Sequence, residues 1–415
     1  MSRGTQGTTC LTLAVAAFAG MVPALAAQNW PQSYFNAAHT GYNSNETTLS
    51  AANVSQLQLQ WGSSGPSDGV AGFALDNGVI YAEGFGSTNN LAAIDAATGA
   101  TLWTVTAGNV GFSYNAPVAV HGGLVYAQCS FVDGSGYGYG AVCAYKKSDG
   151  KLIWQWSSPC NCAPEGALNS PMVYANGSIY FGYSDGGCCG SEYFVAADAR
   201  TGSTLWTYGT GGHNTAGYAA VAVGNGLVYV GCNGNNFAGV CALNQSDGTL
   251  SWSTNIGTNS LGLTVGKNQL YVDANFNYEI VALNATTGTT AWTFTTDGTD
   301  YPVALAKNVV YARGSNSELN AVNAKTGANI WSDTPQNISS SPSVANGVIY
   351  VGQSGNNWPA ASAFDATNGS LLWSSPGGAG YGYVAPVVAN GVLYIANAPC
   401  GAICAYHLAD SHHRN

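Results

Sequence analysis

The sequence predicts an all-β fold: an eight-bladed β-propeller with four-stranded antiparallel blades, closed by an N-terminal strand. Three observations predict it. A segment such as "LAAIDAATGATLW" or "IVALNATTGTTAW" recurs, ending at Trp103, Trp154, Trp206, Trp252, Trp292, Trp331 and Trp373 at spacings of 51, 52, 46, 40, 39 and 42 residues. A second segment precedes each of these, from "NGVIY" at 77–81 to "NGVLY" at 390–394, and occurs eight times. At the two ends lie orphan halves, "LQLQW" with Trp61 and "AICAY" at 402–406, which complete one unit when joined. Units of about 40 to 50 residues made of short alternating strands are the signature of propeller blades.

Along the chain, residues 1–26 read as a secretory signal peptide. Arg3 precedes an apolar run from about Leu11 to Val22, and Ala24-Leu25-Ala26 is a small-residue cleavage pattern. The run is too short for a comfortable membrane span. Residues 27–409 are assigned to the propeller and 410–415 to a polar tail. Within each unit an inner strand ("APVAV", "SPMVY") leads to the Tyr strand, then to an Ala-rich strand and the Trp strand. Asn-Gly, Thr-Gly and Asp-Gly pairs supply the hairpin turns. The repeated Trp residues are read as packing between blades. Pairing of the Trp61 strand into the last unit removes the exposed edges of an open array.

Composition bounds the partners. Charged residues are 7% of the chain and acidic residues outnumber basic ones 20 to 10. Nucleic acid binding, which needs clustered Lys and Arg, is not expected. No later segment is long and apolar enough to span a membrane, and the expectation is a monomeric propeller in the periplasm or outside the cell.

Eleven cysteines are present, and Cys10 falls in the leader, so the exported chain keeps an even number. Disulfides are the default in that setting. Cys129 and Cys232 each lie three residues after a repeated Tyr, and Cys143 and Cys241 occupy matching positions of the following strand. Cys400 and Cys404 repeat the arrangement, so pairs 129–143, 232–241 and 400–404 are expected. Cys160 and Cys162 lie in the loop before the third unit, and Cys188-Cys189 in a loop of that same unit. Two loop-to-loop bridges or a bridge between the adjacent pair both remain open. "PCNC" has the wrong spacing for a zinc knuckle.

The "A-h-[DN]-A-x-T-G-x-x-h-W" units resemble the tryptophan-docking repeats of pyrroloquinoline-quinone-like propellers. "WPQSYFNAAHTGYNSNETTLSAANVSQLQLQW" is similar to the N-terminal region of quinoprotein dehydrogenases. The resemblance covers almost the whole mature chain and implies the fold. The same repeat serves quinoproteins, an outer-membrane assembly lipoprotein and other exported proteins, so activity has to be argued from the site. A quinoprotein would bind pyrroloquinoline quinone with Ca²⁺, with a vicinal disulfide over the quinone and cations beside it. Here Cys188-Cys189 is followed by "GSEYF" where those enzymes have an Asn-Arg-Gly element, and the mature chain has only Arg200, Arg313 and Arg414.

The residues that begin the inner strands surround the channel mouth in this reading. Tyr114, Asn115, Asn169, Ser170, Tyr218, Tyr301 and Tyr383 offer aromatic and amide groups suited to saccharides, peptides or small polar ligands. Glu83, Glu165 and Asp273 are carboxylates of the same face. No catalytic set and no metal site is assigned, and no cofactor is expected. The reading is an exported scaffold for a protein partner or a small polar or saccharide ligand. The alternative is a divergent quinoprotein alcohol or sugar dehydrogenase using the quinone with calcium.

Overall fold

Strand burial follows the position of each strand in its blade. The computed structural model describes residues 28–409, apart from 67–68, 86–89, 108–117, 133–137, 158–166, 169, 171, 185–191, 210–220, 235–236, 259–260, 275–277, 297–300, 315–317, 335–336 and 378–379. In blade 1 the strands are Val70–Asp76, Val79–Gly84, Leu91–Asp95 and Thr101–Val105, paired antiparallel in that order. The two middle strands are buried almost throughout, because both of their faces are covered by neighbouring blades. The outermost strand alternates, as a pleated strand with one wet face must. In Thr204–Gly209 of blade 3, for example, Trp206 is buried between exposed neighbours.

The inner strands of blades 2 to 8 are Ala119–His121, Val173–Ala175, Val221–Gly224, Leu261–Val265, Ala304–Ala306, Ser343–Ala345 and Val387–Ala389. Eight sheets of this kind are present, and the eighth is completed by Leu57–Ser63 pairing antiparallel with Gly401–Leu408. The N-terminal closure is therefore real. Trp61 lies 6.0 Å from Tyr394 in ring centroids. Among the described residues there is no α-helix, only a 3-10 turn at Val54–Gln56 before the closing strand.

Each blade grips the next through the repeated aromatics. The indole N–H of Trp292 donates to the Ala324 carbonyl at 3.1 Å, and the Tyr271 hydroxyl donates to the same carbonyl at 3.1 Å. Trp252 and Tyr229 share the Ala285 carbonyl in the same way. From blades 4, 5 and 6 a turn carbonyl of the next blade is thus clamped by two side chains. These Trp residues have the packing role expected of them, and clamps of this kind satisfy buried polar atoms while the rings fill the interblade seam.

Because strands alternate in direction, the ring has two unlike faces. One carries the tight turns between first and second strands and between third and fourth strands. The other carries the loops between second and third strands and the loops into the next blade. Three disulfides lie on or beside the second-to-third-strand connections: Cys129–Cys143, Cys232–Cys241 and Cys400–Cys404, with Cα separations of 5.9, 5.8 and 6.0 Å. Cys160, Cys162, Cys188 and Cys189 lie outside the described residues.

The segment before the closing strand does something the repeats do not reveal. Residues 30–43 visit every inner strand in turn near its turn-face end. Trp30 exchanges two 2.8 Å backbone hydrogen bonds with Leu75 of blade 1, and Val120 of blade 2 donates to Pro31 at 2.7 Å. The Gln32 side chain brackets the backbone of Tyr174 in blade 3. Val223, Val265, Leu305 and Val344 of blades 4 to 7 donate to the carbonyls of Ala37, Ala38, Thr40 and Gly41 at 2.7 to 2.8 Å. Asn43 donates to Val388 of blade 8 at 2.8 Å. Innermost strands have one unpaired edge facing the channel, and their N–H groups need partners. The segment supplies them and fills the turn-face end of the channel.

Candidate functional site

The segment fills the turn-face end of the channel, and towards the loop face the channel is described only in part. Its described wall and floor form a cavity lined by Trp30, Tyr34, Phe73, Tyr383 and Val387, with the backbone of Gly72 between them. Trp30 and Tyr34 come from the filling segment, Phe73 from the inner strand of blade 1 and Tyr383 from the loop into blade 8. Tyr383, one of the residues expected at the mouth, is 39% exposed. Trp30 is fixed edge-on against Phe35 at 5.1 Å. Trp30 and Phe73 are buried, so the aromatic groups of this lining that solvent reaches are Tyr383 and the partly exposed Tyr34.

The other expected residues divide. Ser170 is buried and its hydroxyl accepts the backbone N–H of Gly182, which ties the loop into blade 3 to that blade's second strand. Tyr301 of blade 6 lies under the Arg313 guanidinium, 5.1 Å from the ring centroid. Arg313, which carried no role in the sequence reading, thus stands beside a mouth residue, while Arg200 sits in the third-to-fourth-strand turn of blade 3 on the opposite face. Tyr114, Asn115, Asn169, Tyr218 and Glu165 lie outside the described residues.

Glu83, at the end of the second strand of blade 1, is completely buried. One carboxyl oxygen accepts the Gln128 backbone N–H of blade 2 at 3.3 Å. The other oxygen, and the side-chain amide nitrogen of Gln128, have no hydrogen-bond partner among the described residues. Burial pushes the Glu83 carboxyl well above its ordinary value, opposed by the Gln128 hydrogen bond. Asp273, also buried, belongs to blade 5, across an eight-bladed ring from blade 1. The two carboxyl groups do not flank one bond, as glycoside cleavage would require.

Among the described residues no group of three or more His, Cys, Asp or Glu is placed to hold a metal ion. Among the described residues, no helix is long and apolar enough to cross a membrane.

One buried group was given no role by the sequence. His39 of the filling segment is 1% exposed, adopts φ 56° and meets the Tyr34 ring at 5.1 Å. Burial lowers its pKa to about 4, opposed by a hydrogen bond to the Leu263 backbone, and its Nδ1 has no hydrogen-bond partner among the described residues.

Comparison with known proteins agrees with the architecture. The family model described as outer membrane protein assembly factor BamB matches residues 44–209 and 190–414. A stretch of 125 residues, 26% of the chain, is 33% identical to the dehydrogenase subunit of alcohol dehydrogenase (quinone) from Acetobacter aceti. That match spans 16% of the relative's length. The quinohemoprotein alcohol dehydrogenase of Comamonas testosteroni has a TM-score of 0.71, covering 93% of this chain and 81% of its own, at 15% identity. BamB from Moraxella catarrhalis has a TM-score of 0.56, covering 89% of this chain and 99% of its own, at 16% identity. At such identities the likeness to both structures is one of fold alone.

Proposed function

We propose that this chain, which belongs to the outer membrane protein assembly factor BamB family of pyrroloquinoline-quinone-like propellers, is an exported binding scaffold whose loop-face cup takes a saccharide or a peptide segment of a partner. The observation that carries this reading is the filled end of the channel. It leaves the other face for a ligand, where Tyr383 and Tyr34 are partly exposed and Trp30 is buried behind them. Three disulfides support a place in an oxidising compartment. Within this reading residues 1–26 are removed on export, which N-terminal sequencing of the secreted or periplasmic protein checks directly.

A neutral oligosaccharide panel and an extended-peptide panel test the cup, with Trp30 emission as the reporter. Subtracting the spectrum of Trp30→Phe isolates its signal from the other indoles. A ligand that shifts Trp30 emission in the wild type and not in Tyr383→Ala supports the proposal. No shift with either panel sinks it.

The second reading, a divergent quinoprotein dehydrogenase, is favoured by the 33% identity to the quinone-dependent alcohol dehydrogenase subunit. Its test is reconstitution with pyrroloquinoline quinone and Ca²⁺, read as dye-linked oxidation of alcohols and sugars. Activity lost in a Cys188→Ser, Cys189→Ser double variant would favour this reading over the scaffold.

A further inference from the structure

The turn face carries a feature that neither reading uses. In six blades the turn between first and second strands ends in Gly: Asn77-Gly78, Gly122-Gly123, Asn176-Gly177, Asn225-Gly226, Asn346-Gly347 and Asn390-Gly391. Blades 5 and 6 instead have Lys267-Asn268 and Lys307-Asn308. Lys307 and Asn308 take φ of 47° and 66°, a left-handed conformation that Gly adopts without cost and Lys does not. A residue held against its local preference is a pointer to function.

The neighbouring turn shows the complementary change. In blades 1, 3 and 7 the third-to-fourth-strand turn is held by an aspartate, Asp95, Asp198 or Asp365, whose carboxylate accepts the N–H two residues on. In blades 5 and 6 the same bonds are made by Asn284 and Asn323. The turn is preserved and the negative charge is gone. Beside Asn323, Lys325 adds a third ammonium.

The three lysines line one groove between blades 5 and 6, together with Asn268, Gln269 and Asn308. They are exposed and form no ion pair among the described residues, whereas Lys146 and Lys147 are paired with Asp149 and Asp76. The chain has six lysines and a net charge of −10, so half of them gather where acids have been withdrawn.

We propose that this groove docks an acidic peptide segment of a partner protein. The ammonium groups come from three separate turns along an open groove, which matches carboxylates spaced along a chain better than one oxyanion. The amide side chains between them supply donors and acceptors for a peptide backbone. This site is on the opposite face from the cup and does not depend on it.

Fluorescence anisotropy with a labelled octaglutamate peptide tests the proposal on the full mature chain. The comparison is with a Lys267→Gln, Lys307→Asn, Lys325→Gln variant, in which Asn keeps the left-handed turn, and with a Lys146→Gln, Lys151→Gln control. The expected result is about tenfold or more weaker binding in the groove variant alone, from roughly two- to threefold per exposed charge pair. Wild-type binding should also weaken as salt rises from about 0.01 to 0.15 M and the Debye length falls from roughly 30 to 8 Å. Equal binding by wild type and groove variant, or no binding by wild type at low salt, overturns the proposal. So does displacement by millimolar inorganic phosphate, or equally tight binding of a single-stranded oligonucleotide, since either would identify a different ligand. Unchanged circular dichroism of the groove variant separates lost binding from lost folding.

Discussion

Acidification acts on the filled channel through His39. In the folded chain the imidazole is buried with a pKa of about 4, against an ordinary value of 6.5. The unfolded chain therefore takes up a proton near pH 6.5, and the folded chain resists until about pH 4. The contribution is full above the unfolded value and is lost as pH falls through this window. At about 1.4 kcal/mol per pH unit of difference, the loss is roughly 3 kcal/mol. The variant for comparison is His39→Asn, because Asn tolerates the φ of 56° at this position. Urea unfolding at a series of pH values between about 7.5 and 4 should show the wild type losing roughly 3 kcal/mol more than the variant. An NMR titration of the His39 ring reads the same quantity directly. A titration midpoint near the ordinary value, or parallel pH profiles for the two proteins, would refute the reasoning.

Three other outcomes are expected. Glu83→Gln replaces an acid whose folded pKa is raised, so the wild-type contribution is full below the ordinary 4.5 and lost as pH rises through the folded value. Urea midpoints should shift in the variant's favour as pH rises above the ordinary carboxyl value, and a constant gap would count against a raised Glu83 pKa. Gly327→Ala puts a Cβ 2.8 Å from the Trp292 ring at φ 73°, whereas Gly347→Ala at φ 79° meets nothing within 4 Å. Both should lose roughly 1–2 kcal/mol to backbone strain, and Gly327→Ala roughly 1–3 kcal/mol more from the clash, measured by denaturant melts. Cys232→Ser with Cys241→Ser opens a bridge of sequence separation 9, for which chain entropy gives about 2.5 kcal/mol of lost stability. Thermal unfolding without reductant should show the variant melting below the wild type, and reductant, which opens the other bridges in both, should bring the two midpoints together.

The sequence by itself determined the blade count, the strand order, the closure through Trp61 and three disulfide pairs. These are matters of nearest neighbours: a repeat buries its face only against the next copy, so period and turn residues specify the ring. Matched cysteines on adjacent strands are equally local. The tertiary structure alone decided what the channel is. Residues 30–43 show no strand alternation, and their bonds go to eight inner strands spread from Leu75 to Val388. No spacing rule encodes contacts of that range. The fate of the mouth residues was decided in the same way, since Ser170 was buried in a backbone bond and Tyr383 kept 39% of its surface exposed. The lysine groove lies between these cases. Lys-Asn in place of Asn-Gly is visible in the sequence, but only the packing of blades 5 and 6 brings Lys267, Lys307 and Lys325 to one groove.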